Sequence, residues 1–271
     1  MGAGAVQVNI NSPRAKKCTW YDGTDDSISL TANLARFLAL SEGTICGWLQ
    51  HNHSGIGMII GVELANTDCL RLYVNSGVLF VYLKDNNVNI LNSQTSSALI
   101  TSRVWKHFAY TSSLTAGNLL YVDGAIAGRT DTTGSAATND TFFKKTTVAG
   151  ANPTSMTIGK GIGASNYEFT GGIADLQVHN RVLTLAEITA VMNGHVNRDT
   201  LVSKWDFAND DYNDSFGINH GTNDGTRIAI VDDTLAAAIK ADRKTAKDRY
   251  IMCETSGPEK QVISAIVEEA P

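Results

Sequence analysis

The stretch Trp205-Asp-Phe-Ala-Asn-Asp-Asp-Tyr-Asn-Asp-Ser-Phe-Gly-Ile-Asn-His-Gly-Thr222 joins a strand bearing two aromatics to a loop crowded with oxygen side chains. A backbone that turns at Gly217 and Gly221 while offering Asp210, Asp211, Asp214 and Asn219 suits two purposes. It can hold a hard cation, or it can hold itself by Asx-turns. Both purposes need the loop to be fixed to a strand, so the neighbouring sequence has to supply a sheet.

It does. Period-two segments recur at Thr44-Ile-Cys-Gly-Trp-Leu49, Cys69-Leu-Arg-Leu-Tyr-Val74, Val78-Leu-Phe-Val-Tyr-Leu83, His107-Phe-Ala-Tyr110, Leu119-Leu-Tyr-Val122, Ile173-Ala-Asp-Leu-Gln-Val178 and Leu201-Val-Ser-Lys-Trp-Asp-Phe207. Gly, Asn and Ser turns separate them, and Asn75-Ser-Gly77 and Asp123-Gly124 supply the positive φ that tight hairpins need. Short strands in this rhythm predict an all-β fold, a jelly-roll sandwich of two antiparallel sheets. One helix is predicted after Val182: Thr184 and Glu187 form a capping box, Leu185, Ile188, Val191 and Met192 form the apolar stripe, and Gly194 stands at the C-cap.

A hydrophobic fraction of 43% with 18% charged residues is enough for one large core. The formal net charge of -5 leaves no basic footprint, which excludes nucleic acid and an anionic membrane surface as expected partners. Residues 1–17 read as an N-terminal arm without the basic head and apolar run of an export signal. Residues 18–231 read as the sandwich, with a long excursion at 128–155. Residues 232–271 change composition: a helix over 233–250 with a thin apolar face, then a stretch without period, together a tail suited to attaching the chain to a neighbour. Cysteines 18, 46, 69 and 253 show no metal spacing; buried free thiols are expected, with a Cys46–Cys69 bridge as the alternative.

The opening stretch, together with Trp20-Tyr-Asp-Gly-Thr-Asp-Asp26, Trp105-Lys-His-Phe-Ala109, Tyr121-Val-Asp-Gly124 and Gly171-Gly-Ile-Ala-Asp-Leu-Gln-Val178, resembles the laminin-G-like (concanavalin A-like lectin/glucanase) jelly rolls. In the family order the W-x-F strand comes first, whereas here it comes last. Three arrangements follow: residues 200–222 close their own sandwich, they close the next subunit's, or they begin a truncated second repeat. The first leaves no lone strand edge.

The resemblance implies a structural calcium site on Asp214, Asn219 and a carbonyl near Gly221, closed by Asp175 and Asp25. Asx-turns without a metal are the alternative. It also raises hydrolysis, because the fold houses glucanases with a Glu-x-Asp-x-x-Glu strand. The glutamates at 42, 63, 168, 187, 254, 259, 268 and 269 form no such dyad, so an enzyme is not expected. His51-Asn-His53 lacks the third ligand that zinc needs, and no G-x-S-x-G elbow occurs. For a lectin, the exposed candidates are Asn87 and Asn89 in one turn and Asn166 and Tyr167 in another. Candidate partner contacts are Phe142 and Phe143 at the tip of the long excursion, and Leu235, Ile239 and Tyr250 in the tail.

The expectation is a non-enzymatic module. Its leading reading is a virion structural or decoration protein, assembled in the host cytoplasm with other virion proteins or its own copies and touching surface glycans. The alternative is an extracellular, calcium-dependent carbohydrate-binding lectin.

Overall fold

The structure is a computed structural model, and it describes residues 17–52, 55–161, 167–207, 209, 211–224 and 229–232. Its strands are β1 (Lys17–Asp22), β2 (Ser27–Ser29), β3 (Gly43–His51), β4 (Ile56–Leu64), β5 (Asp68–Asn75), β6 (Val78–Asp85), β7 (Val88–Thr95) and β8 (Lys106–Ser113). They continue as β9 (Gly117–Val122), β10 (Ala125–Ile126), β11 (Arg129–Thr133), β12 (Ser155–Ile158), β13 (Thr170–His179), β14 (Leu201–Trp205), β15 (Thr222–Asp224) and β16 (Ala229–Asp232). Among the described residues two α-helices accompany them, α1 (Leu34–Leu38) and α2 (Leu185–Met192).

The strands form two antiparallel sheets, as the alternation predicts. The first runs β10-β9-β8-β3-β13-β1-β16 with β14 also on β13, and the second runs β11-β7-β6-β5-β4-β12-β2-β15. Left-handed backbone makes the hairpins tight: Ser76-Gly77, Asn86-Asn87 and Asp123-Gly124 all have positive φ at both central positions, the type I′ geometry that matches strand twist.

The W-x-F strand closes its own sandwich. One edge of β13 is shared: its first half pairs with β1, from Asp22↔Thr170 to Thr19↔Ile173, and its second half pairs with β14, from Leu176↔Trp205 to His179↔Leu201. Between the halves the register against β3 shifts, and Asp175 takes a φ of 49°, a left-handed conformation that Asp tolerates better than most residues. The bulge crowds Gly47 on β3, where a Cβ would meet the Leu176 backbone at 3.0 Å.

Between the sheets lies one core that includes Ile45, Leu49, Leu72, Val81, Phe108, Leu176 and Trp205. Phe142 and Phe143 belong to it. Both are fully buried, Phe143 against Phe37 at 5.9 Å and Phe142 stacked near Tyr110 at 6.4 Å. The expected partner contact at a loop tip is thereby corrected: residues 128–155 are not a free excursion. Their β11 pairs with β7, and the two phenylalanines plug the end of the core, because burying two adjacent aromatic rings outweighs leaving them in water. Strands β4 and β7 carry no clean alternation to predict them. β4 is buried on both faces and bulged at Met58/Ile60, and β7 is mostly polar on its outer side.

The first sheet is covered on its outer face too. Helix α2 has the predicted capping box, with Thr184 and Glu187 bonded reciprocally. It lays Ile188 and Val191 on Cys46, Ala109 and Tyr121, whereas Leu185 of the predicted stripe is largely exposed. Beside it Trp48 and Trp105 pack with Cys18 and Ala174, supported by Trp20 and Met192. Cys18, Cys46 and Cys69 are free and buried. A Cys46–Cys69 bridge is ruled out because the two thiols face away from each other, Cys46 under α2 on the outer side of the first sheet and Cys69 beside Arg71 on the outer side of the second. Residues 233–250 with Leu235, Ile239 and Tyr250, and also Cys253, His53, Asp210 and Asn166, lie outside the described residues.

His107 sits on the covered face with its ring 5.4 Å from that of Trp48, and burial pulls its pKa down to about 3. His179 is drawn down to about 4, by burial first and by Arg181 second. Both are neutral in the folded protein, so below the ordinary value of 6.5 the unfolded chain binds protons that the native state refuses. Their contribution is complete above that value and is lost as pH falls toward 4, at up to about 1.4 kcal/mol per pH unit for each ring. Urea denaturation at pH 7.5, 6.0 and 5.0 should show this decline, and His107→Leu should remove about half of it. An unchanged slope in that variant would mean that His107 titrates normally.

Candidate functional site

Among the described residues, one broad face of the sandwich carries neither helix nor partner sheet: the outer side of the second sheet. Alternation along β6 sends Leu79, Val81 and Leu83 into the core and leaves Phe80, Tyr82 and Lys84 half-buried on the outside. Cross-strand pairing extends that row. Phe80 faces Tyr73 of β5 and Gln94 of β7, and Tyr82 faces Arg71 of β5 and Asn92 of β7.

The rings are ordered. Tyr73 and Phe80 stack with centroids 4.8 Å apart and an interplanar angle of 8°. Tyr167, from the segment before β13, meets Tyr73 edge-on at 5.5 Å. The floor beneath them is an ion pair: Arg71 Nε donates to Glu63 Oε1 at 2.8 Å and Nη2 to Oε2 at 3.3 Å, and both side chains are almost wholly buried. Arg71 Nη2 also donates to the Ala65 carbonyl and to Asn66 Oδ1. Its guanidinium carbon lies 5.2 Å from the centre of the Tyr167 ring and 6.0 Å from that of Tyr82, so one buried cation supports both rings. At the rim the Tyr82 hydroxyl donates to Asn89 Oδ1 at 2.8 Å, and Lys84 Nζ donates to Asn87 Oδ1 at 3.2 Å. Cys69 shares this face beside Arg71 and Glu63, but burial raises its thiol to about 11 and keeps it protonated.

Three residues predicted from sequence, Asn87, Asn89 and Tyr167, therefore lie on one face with Tyr82. The Asn86-Asn87 turn and the start of β7 fix the first two, and the return toward β13 places the third. Sequence reasoning missed the floor and the inner row, Glu63, Arg71, Phe80, Asn92 and Gln94. One signal was present: β6 alternates aliphatic with aromatic, which marks an outer face bearing rings rather than plain solvent-facing polarity.

Four of the five positions expected to share a cation are engaged with protein groups. Asp214 is engaged by the backbone: Oδ1 accepts N–H groups from Lys204 at 2.9 Å, Phe216 at 3.0 Å and Gly217 at 2.9 Å, and Oδ2 accepts that of Asn219 at 3.2 Å. Asn219 donates to Ser203 Oγ at 2.6 Å, and its carbonyl accepts the Trp205 indole N–H at 3.2 Å. Gly221 donates to the Tyr212 carbonyl and abuts Ile28, where a Cβ would approach to 2.4 Å. Asp175 pairs with Lys204 Nζ at 3.1 Å. This is the Asx-turn network, and it locks the loop around the buried Trp205.

Asp25 is placed differently. Its carboxylate lies within 4.8 Å of those of Asp22 and Asp26, in a turn where Asp26 Oδ2 accepts the Asp22 N–H and Asp22 Oδ1 accepts the Thr24 N–H. Among the described residues this is the one cluster of three acidic, His or Cys side chains close enough to share an ion. Three carboxylate oxygens at that spacing could coordinate a hard cation.

Comparison with known proteins bears on the whole fold. A family profile described as the concanavalin A-like lectin/glucanases superfamily matches residues 22–189. No curated protein matches the sequence. Among solved structures, the CBM40 of the Ruminococcus gnavus IT-sialidase aligns with a TM-score of 0.53 at 17% identity, over 65% of this chain and 97% of that one. The same CBM40 bound to α2,3-sialyllactose gives the same figures, 0.53 and 17% over 65% and 97%. A proposed carbohydrate-binding protein of Bacteroides ovatus aligns with a TM-score of 0.57 at 16% identity, over 80% of this chain and 60% of that one. At such identity the likeness is one of fold.

Asp214→Ala removes the acceptor of four backbone N–H groups and should cost about 2–4 kcal/mol of stability. Urea denaturation with and without chelator checks the reason for that loss. The same loss in both conditions fits a backbone clamp, whereas a loss seen only with calcium would restore Asp214 as a metal ligand.

Proposed function

Because the chain belongs to the concanavalin A-like lectin/glucanase superfamily, we propose that it is a non-catalytic carbohydrate-binding module that takes its ligand on the outer face of the second sheet. The observation that carries this reading is the outward row of Tyr73, Phe80, Tyr82 and Tyr167 beside the amides of Asn89, Asn92 and Gln94. A sugar ring has an apolar C–H face and a rim of hydroxyls, so it is bound where aromatic surface and fixed amide groups adjoin. The solved structures of similar fold include a CBM40 bound to sialyllactose, which supports sugar binding as the use of the scaffold.

Catalysis is not part of the proposal. Glycoside hydrolysis needs two carboxyl groups free to act as acid and as base or nucleophile. Glu63 is held by Arg71, and Glu168 by Lys160 at 3.2 Å. The turn Asp22, Asp25 and Asp26 would hold a structural calcium ion, whose charge would offset the repulsion among three neighbouring carboxylates. It would fasten the end of β1, and the Asx-turn at Asp214 would work without it.

Glycan binding outside the cell takes precedence over the virion role expected from the sequence. The virion reading rested in part on the tail, which lies outside the described residues, and on family analogy, and the structures of similar fold described above favour its lectin alternative.

A glycan array with the full-length protein, run with calcium and with chelator, tests the reading. Binding to a defined glycan class is expected, and Tyr82→Ala or Tyr167→Ala should weaken it by about tenfold, roughly 1.4 kcal/mol, at unchanged thermal stability. An array empty in both conditions sinks the proposal. Calcium should raise the melting temperature of the parent protein, and Asp25→Asn should abolish that rise; an unaltered rise in the variant would place the ion elsewhere.

A further inference from the structure

We infer that this face is built for an uncharged saccharide rather than an acidic one, an inference that rests on the carbohydrate-binding reading above. An anionic sugar such as a sialoside is recognised by a cation whose charge is available, best of all by the two-pronged guanidinium of an arginine. The arginine at the centre of this face has no such charge to offer. The Nε–Nη2 edge of Arg71 is taken by Glu63, at 2.8 and 3.3 Å, and Nη2 also donates to Asn66 Oδ1 at 2.7 Å. Arg71 is 3% exposed and Glu63 1%, so the pair is neutral as a unit and sits below the surface that a ligand would touch.

What the centre of the face presents upward is neutral: aromatic rings and amides. The neighbouring Lys160 is paired with Glu168. Lys84 stands at the rim, bonded to Asn87, with its ammonium 5.9 Å from the centre of the Tyr82 ring. A carboxylate-bearing sugar placed over Tyr82 and Tyr167 would meet Arg71 only across those rings, with Glu63 cancelling its field. At the centre of the face it would lose hydration without gaining a partner, and that penalty discriminates against it. The buried pair thus acts as a positioning device, since it supports two rings through their faces and keeps the centre of the site without net charge, the charge of Lys84 standing at the rim.

Isothermal titration of the full-length protein with lactose, cellotetraose, maltotetraose and mannotriose, and with 3′- and 6′-sialyllactose, tests this. The expected result is binding of at least one neutral probe, no gain on adding sialic acid to lactose, and an affinity that changes less than about twofold between low and high NaCl, because no charge pairing is involved. Sialyllactose bound in preference to lactose, with affinity falling as salt rises, would overturn the inference and leave sugar binding intact. No binding of any probe would overturn both. Glu63→Gln keeps a hydrogen-bonding side chain against Arg71 but uncovers its charge. Sialyllactose affinity should then rise about tenfold over the parent and become salt-sensitive. A folded variant with no such rise would show that Glu63 is not what excludes acidic sugars, and the parent's salt dependence decides the matter if the variant fails to fold.

Discussion

The structure depends on one edge, that of β13. A strand has two edges, yet this one carries three partners: β3 along its length, and β1 and β14 end to end on the other side. Two strands can share an edge only if the ladder is interrupted where one gives way to the other. The left-handed Asp175 supplies that interruption between Ile173, the last residue paired to β1, and Leu176, the first paired to β14. Lys204, on the incoming strand, reaches back to the Asp175 carboxylate. A W-x-F strand that arrives last in the chain can therefore lie beside the one that arrives first, and no unpaired edge is left between them.

That edge is held from the loop side by Asp214. A single carboxylate collects the N–H groups of a turn that would otherwise be unsatisfied, and the turn then presents the Asn219 carbonyl to the Trp205 indole. Oxygen-rich loops of this kind invite a metal reading, and the resemblance suggested one. The geometry shows a different arrangement: the Asp214 oxygens face inward to backbone donors, and the acidic side chains that do crowd together are at Asp22, Asp25 and Asp26, at the end of β1.

The two sheets differ in what covers them. The first has its outer face roofed by α2 and by three of the four tryptophans, which makes it structural on both sides. Among the described residues nothing roofs the outer face of the second, yet that face is not a plain polar surface. It exposes rings over a buried Arg71–Glu63 pair, an arrangement that adds nothing to the core and has to be satisfied locally by Asn66 and Ala65. A buried ion pair is an expensive floor for a surface whose only role is to meet water. The expense makes sense if the rings it supports have something to hold.

Much of the fold was legible in the sequence, because period-two alternation and glycine or asparagine turns are local properties. They identified the main strands, the type I′ hairpins and the capping box of α2 directly. The sequence also nominated Asn87, Asn89 and Tyr167. What it could not decide were the outcomes that depend on which strands become neighbours. Phe142-Phe143 reads the same at a loop tip as in a core, and only the position of α1 and Tyr110 made the core available. Cys46 and Cys69 could have met, until the fold turned them to the outer faces of opposite sheets. Arg71 and Glu63 look unrelated along the chain, and the pairing of β4 with β5 brings them together. Alternation determines which side of a strand a residue occupies; only the tertiary structure decides what waits on that side, because burial and pairing arise from contacts between segments that are distant in sequence.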